Sequence, residues 1–359
     1  MSPLFRIGDF QLTGYGLCIL AGALAGILLC LRKKEILPGL APVLLGAIVM
    51  GHVCWVLFCP KIYEDEKFSL LIHFWQGGYT MYGALIGGTL GALIGARTLK
   101  IRPLQLLDTL APAACAVIFF GRIGDFFNEQ GFGKTVDEPL FFPITYCSYA
   151  DGSYREWAYA VWAWEAIAAL VLLGILWFRF RKGAPEGRAF AVFLIGLGTS
   201  QMVLEQVRKD SFVSLNPFVR FTQIAAALSL LALLIYLAIK NRPGKARTIL
   251  TFAAFGACIG AIVFAEYVFD KYHMSWILYL FQAAAGILVF ALLRAARGGD
   301  GLMAGGMYCG FSLLLILMHY LNGRGSGTLW VYTMLILSAV GLAVTAAVSL
   351  PARKAEQSV

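Results

Sequence analysis

Residues 121–133 read GRIGDFFNEQGFG, and they gather one Arg, one Asp, one Asn, one Glu and one Gln at the end of a long apolar run. Arg122 offers a planar fork of donors that matches a phosphate or a carboxylate. Asp125, Asn128 and Gln130 supply further polar groups beside it. A second polar set lies in GLGTSQMVLEQVRKDSF, where Gln201, Glu205 and Arg208 recur at i, i+4 and i+7. On a helix that spacing keeps all three on one face, and Glu205 and Arg208 can pair directly. Glu165, in YAVWAWEAIAAL, is flanked by apolar and aromatic residues, which leaves it protonated or paired across helices, with Arg122 as the obvious partner. Tyr15 and Tyr82 start and line two other apolar segments. Taken singly, each group has a plain reading: a connecting loop, a structural ion pair, a tyrosine at the membrane interface. Together, two arginines, several carboxylates and two tyrosines at one membrane depth resemble a pocket for an anionic lipid head.

The elements that must hold these groups are membrane spans. The 359 residues are 60% hydrophobic and 14% charged, against about 45–50% apolar and about 25% charged in soluble domains. Runs of about 20 apolar residues are therefore the unit of reading. Seven fall near 14–31, 38–59, 77–96, 103–121, 157–178, 189–207 and 218–239, and four more near 248–269, 274–293, 302–321 and 329–350. The expected fold is an all-α polytopic membrane protein, with a seven-helix core over residues 1–247 and a C-terminal extension of about four spans over 248–359. Asp108 begins the fourth span at the end opposite Arg122, where helix packing or capping is the expected role.

Charge placement orients the spans. Lys and Arg concentrate in alternate connections, at 32–34, 97–102, 179–188, 240–247, 294–297 and 353–354. Basic loops stay in the cytoplasm, so the N-terminus is expected outside and the C-terminus inside. The net charge of +9 is then topological and implies no nucleic acid. The start, MSPLFRIGDFQLTGYG, lacks a basic n-region and a small-residue cleavage site, so no removable signal peptide is expected. Long, aromatic-rich connections at 60–76 and 122–156 fall on the outer side. Most of the eight cysteines lie in spans as small apolar residues, with Cys147 in an outer loop where a bridge to Cys59 is conceivable. No spacing of His, Cys or carboxylates signals a metal, and no cofactor is expected. In the third span Gly83, Gly87, Gly91 and Gly95 recur every four residues, a strip suited to close helix packing in lipid.

GRIGDFFNEQGFG resembles the signature of the prolipoprotein diacylglyceryl transferases, a membrane enzyme family. The resemblance extends to LTGYGLCILAGALAGILL, QGGYTMYGALIGG, LLDTLAPAACAVIFFGR, Glu165 and VLEQVRKDSF, covering roughly residues 1–240. It implies transfer of a diacylglyceryl group from phosphatidylglycerol to the lipobox cysteine thiol of a preprolipoprotein signal peptide. It also implies a multi-pass protein of the bacterial inner membrane with its site toward the outer side. On the resemblance, Tyr15, Tyr82, Arg122 and Glu205 are the catalytic residues. Arg122, Asp125, Asn128, Gln130, Glu165, Gln201 and Arg208 bind the lipid headgroup, with Asp108 in support. Four features depart from the family pattern. Asp125 stands in place of an Asn, Gln130 in place of a Glu, and Gln201 in place of an Arg; Tyr159 and Ala160 replace a His–Pro pair. They leave open a relative with an altered acceptor, or a non-catalytic lipid-binding protein or permease on the same scaffold.

Overall fold

A computed structural model describes residues 5–7, 10–58, 69, 71–72, 78–137, 140–150, 154–180, 186–204, 208–209 and 249. The expected seventh span, the four C-terminal spans apart from Ile249, and Glu205 lie outside these residues. Among the described residues six helices dominate: α1 (Gly14–Cys30), α2 (Leu40–Phe58), α3 (Met81–Thr98), α4 (Pro103–Phe127), α5 (Val161–Phe180) and α6 (Arg188–Leu204). A 3-10 stretch, Leu31–Gly39, joins α1 to α2. Among the described residues, three helical stretches are long and apolar enough to cross a membrane: Gly14–Phe58, Pro103–Phe127 and Val161–Phe178.

The described residues are mostly helical, as expected of an all-α membrane protein. Two antiparallel hairpins occur in the described chain, β1 (Phe5–Ile7) with β2 (Phe10–Leu12), and β3 (Thr145–Ala150) with β4 (Tyr154–Tyr159). The fifth helix accordingly begins at Val161 rather than near 157, because β4 pairs as far as Tyr159, opposite Thr145. The fourth helix runs six residues beyond the expected end at 121. Nothing in GRIGDFF breaks a helix. It stops at Asn128, after which Glu129 (φ 52°) and Gly131 (φ 70°) turn left-handed, a common way for a helix to end.

The chain divides into two compact units. The first comprises residues 1–128, 169–193 and 211–221; the second comprises 129–168, 194–210 and 222–359.

In the first unit α1 packs on α4 and α2 on α3. The glycine strip explains the second contact. Gly83, Gly87, Gly91 and Gly95 are buried and face, in antiparallel order, the backbone carbonyls of Met50, Gly46, Pro42 and Gly39. A methyl group at Gly87 or Gly91 would overlap the opposing carbonyl outright. The core beside it consists of Cys30, Ile36, Ala92, Ala96, Leu106, Leu107 and Ala113. Large apolar side chains point outward instead: Leu17, Leu20, Leu24 and Leu28 on α1 are 46–63% exposed. Small residues inside and leucines outside is the pattern of a helix pair solvated by lipid, where tails are as apolar as leucine. Asp108 caps α6, accepting from Gly187 N at 2.6 Å and Phe190 N at 2.8 Å, as its expected role in packing or capping requires.

In the second unit, residues 133–136 run along β4, with Gly133 N donating to Tyr159 O at 2.8 Å and Val136 N to Trp157 O at 2.8 Å. The Trp162 ring meets Tyr146 edge-on and Phe142 at a tilt. Trp164 Nε1 donates to Pro143 O at 2.7 Å, tying α5 to the turn before β3. Phe141 and Phe142 are 66% and 62% exposed, as residues of a headgroup layer would be. Cys147 carries a free thiol.

Candidate active site

Each unit builds one buried polar cluster. In the first, the continued α4 places Arg122 and Asp125 one turn apart, and Nη1 meets Oδ2 at 2.7 Å. Both side chains are about nine-tenths buried, at 11% and 9% exposure. The other guanidinium nitrogen, Nη2, lies 3.4 Å from Met81 Sδ at the start of α3. Thr80 sets that start by accepting from Gly83 N at 3.2 Å. Tyr82 follows in the same first turn and is half-buried. Tyr15 sits in the first turn of α1, behind the Thr13 cap that accepts from Gly16 N at 3.2 Å. Its ring packs on Gly124, where an added methyl would lie 3.0 Å from Tyr15 Cδ2. The glycine between Arg122 and Asp125 is thus what lets α1 bring Tyr15 alongside them.

The second cluster centres on Glu165, 2% exposed on α5. Its Oε1 accepts from Gln201 Nε2 at 2.8 Å and faces Arg208 Nη1 at 3.7 Å. Gln201 is equally buried, on α6. The shared helical face read from the sequence is corrected here. Arg208 forms a β-bridge with Gly133, and Lys209 N donates to Phe132 O at 3.0 Å, so Arg208 is not a helical residue. It reaches Glu165 from an isolated bridge, and it and Lys209 take backbone partners at residues 132–133. Tyr159 is buried against Trp164, ring centroids 5.6 Å apart.

Not every expected residue joins a cluster. Asn128 is the C-cap of α4, its N–H donating to Gly124 O and Asp125 O. Gln130 is exposed. Asp108 stands 17 residues from Asp125 on α4, about 25 Å along the axis, and serves α6 instead. Met81 was missed by the sequence reading: a methionine in YTMYG reads as apolar filling, and only the fold turns its sulfur toward a guanidinium.

Polar groups that compensate one another's charge on or beside apolar helices suit a membrane protein, since an ionisable group in a span is costly without a partner. The comparisons give the family. Residues 2–241 match the family model described as prolipoprotein diacylglyceryl transferase. Similar proteins include three named phosphatidylglycerol–prolipoprotein diacylglyceryl transferase. That of Trichormus variabilis is 31% identical over 67% of this chain and 90% of its own length. Those of Streptococcus pyogenes and Streptococcus equi subsp. zooepidemicus are 29% and 27% identical, over 68% and 67% of this chain and 97% and 96% of theirs. The chain belongs to the prolipoprotein diacylglyceryl transferase family.

Proposed function

We propose that this protein moves the diacylglyceryl group of phosphatidylglycerol onto the lipobox cysteine of a preprolipoprotein, in lipoprotein biogenesis. The observation that carries the reading is the family match over residues 2–241, within which Glu165 is buried and Arg122 and Arg208 are partly buried on apolar helices or beside them. In the reaction the cysteine sulfur attacks the diacylglyceryl carbon that bears the phosphate oxygen. A carbon–sulfur bond forms, the carbon–oxygen bond breaks, and glycerol phosphate leaves with the electron pair. The thiol proton must go to a base, because a thiol of pKa about 8.5 is mostly protonated near neutrality.

Arg122 is assigned to the phosphate, where a guanidinium counters the charge that grows as the leaving group departs. Asp125 aims it, holding Nη1 at 2.7 Å. Tyr15 and Tyr82 are assigned beside it. Glu205 is assigned on the family resemblance as a group at the reacting end, and Glu165, Gln201 and Arg208 as headgroup contacts. Asn128 and Gln130 are assigned to the approach of the headgroup, and Asp108 to holding α6. Seven spans with the N-terminus out, a site toward the outer face of a bacterial inner membrane, and a separate extension over 248–359 complete the reading.

One observation favours a second reading. Arg122 carries a carboxylate 2.7 Å away at the position where the family pattern has Asn, which lowers its pull on an anionic headgroup and fits a lipid-binding relative without transfer. Rescue of a bacterial strain depleted of its own transferase separates the two. Growth on induction of this protein supports transfer; no growth despite normal membrane abundance rejects it and leaves lipid binding.

A further inference from the structure

At the end of α1 opposite Tyr15, Arg32 lies with its guanidinium carbon 3.8 Å from the ring centroid of Trp177 on α5. Trp177 also lines an open apolar groove of about 440 Å³, with Leu29, Leu170, Leu173 and Gly174. Among the described residues, no heavy atom outside the backbone of α5 itself stands within 4 Å of where a Cβ on Gly174 would be. The chain just past Leu29 is basic: Arg32, Lys33 and Lys34 are exposed, followed by Glu35. Lys33 Nζ reaches Thr109 Oγ1 at 3.4 Å.

In a bilayer an apolar groove alone selects nothing, because acyl chains are as apolar as the leucines they touch. Selection has to come from the polar end. Stacking on an indole occupies the flat face of a guanidinium and leaves its in-plane N–H groups free to fork onto two oxygens of an anion. Basic sites beside transmembrane helices bind anionic lipid heads in this way. We propose that the groove holds one acyl chain of an anionic phospholipid whose phosphate is forked by Arg32. The site is distinct from the Arg122 cluster: Tyr15 and Arg32 are 17 residues apart, about 25 Å along α1 and its continuation.

The test uses the full chain in lipid nanodiscs doped with phosphatidic acid carrying a diazirine in one acyl chain, a lipid without the glycerol head of the proposed donor. Photolabelled peptides are mapped by mass spectrometry and compared with labelling by phosphatidylcholine bearing the same chain. Peptides containing Leu29 and residues 170–177 should label about fivefold more with the anionic probe. Arg32→Gln should abolish that preference, Arg32→Lys should keep part of it, and Gly174→Leu should lower labelling by both probes. Equal labelling by the two probes in the parent protein overturns the proposal, as does an undiminished preference in Arg32→Gln. Because the readout is local to these peptides, it stands or falls apart from transfer activity.

Discussion

Arg122 and Asp125 form a close pair in a poorly hydrated place, where charges interact far more strongly than in bulk water. On the proposed function, a headgroup phosphate has to compete with a carboxylate already in position. Gln201 is the counterpart in the second unit, a neutral donor to Glu165 where the family pattern has a cation. Asp125→Asn and Gln201→Arg each add one unit of positive charge. The double variant should retain phosphatidylglycerol more tightly through detergent exchange, on the order of tenfold, and should transfer labelled diacylglycerol to a lipobox peptide faster. Unchanged retention and transfer in a well-folded variant would remove both positions from the headgroup site. Arg122→Lys keeps the charge and loses the fork. Transfer per folded molecule should drop roughly 10²-fold, and a purified variant turning over lipid at the parent rate would end the phosphate assignment. The sequence made Arg122 and Asp125 visible as neighbours. The Glu165–Gln201 bond joins residues 36 positions apart and no spacing rule finds it.

At the scale of elements, α2 and α3 associate through backbone rather than side chains. Glycines every four residues on α3 meet carbonyls on α2 and on Gly39 just before it, closely enough that a larger residue has nowhere to go. Gly87→Leu should cost about 1–3 kcal/mol or more, read as a fall in detergent melting temperature. Gly88→Leu is the control: a methyl there meets Ala47 Cβ only at 3.7 Å, so it should cost much less. Asp108 does similar work for α6 from outside it, satisfying N–H groups that a helix start leaves open. Asp108→Ala should destabilise by about 1 kcal/mol, with Asp108→Asn recovering part because it retains one acceptor oxygen. Equal melting temperatures for Ala and parent would refute the capping role. The glycine strip was legible from its period of four, and the span limits from apolar run length. The end of α4 was not, because hydropathy falls at Arg122 while the helix continues. Nor was the β3–β4 hairpin, whose pairing depends on residues brought together only by its turn.

For the whole molecule, the distribution of Lys and Arg predicts which connections stay in the cytoplasm. Single cysteines at positions 182 and 245, in a background without the native cysteines, should resist a membrane-impermeant thiol reagent in intact cells and react after lysis. A cysteine at 156 or 137 should react from outside. Labelling of 182 or 245 in intact cells would invert the orientation and place the Arg122 cluster toward the cytoplasm. By itself the sequence determined that this is a membrane protein built of apolar helices, where the described helices fall to within about four residues except at the end of α4, and which family it resembles. Composition and run length decide those matters locally, since each span has to satisfy its own backbone in lipid. Only the tertiary structure decided who holds whom: Asp125 on Arg122, Gln201 and Arg208 on Glu165, Asp108 on the start of α6, and Arg208 in a β-bridge rather than on a helix. Those partners are set by distance between residues remote in the chain, and a buried charge accepts whichever partner the packing brings near.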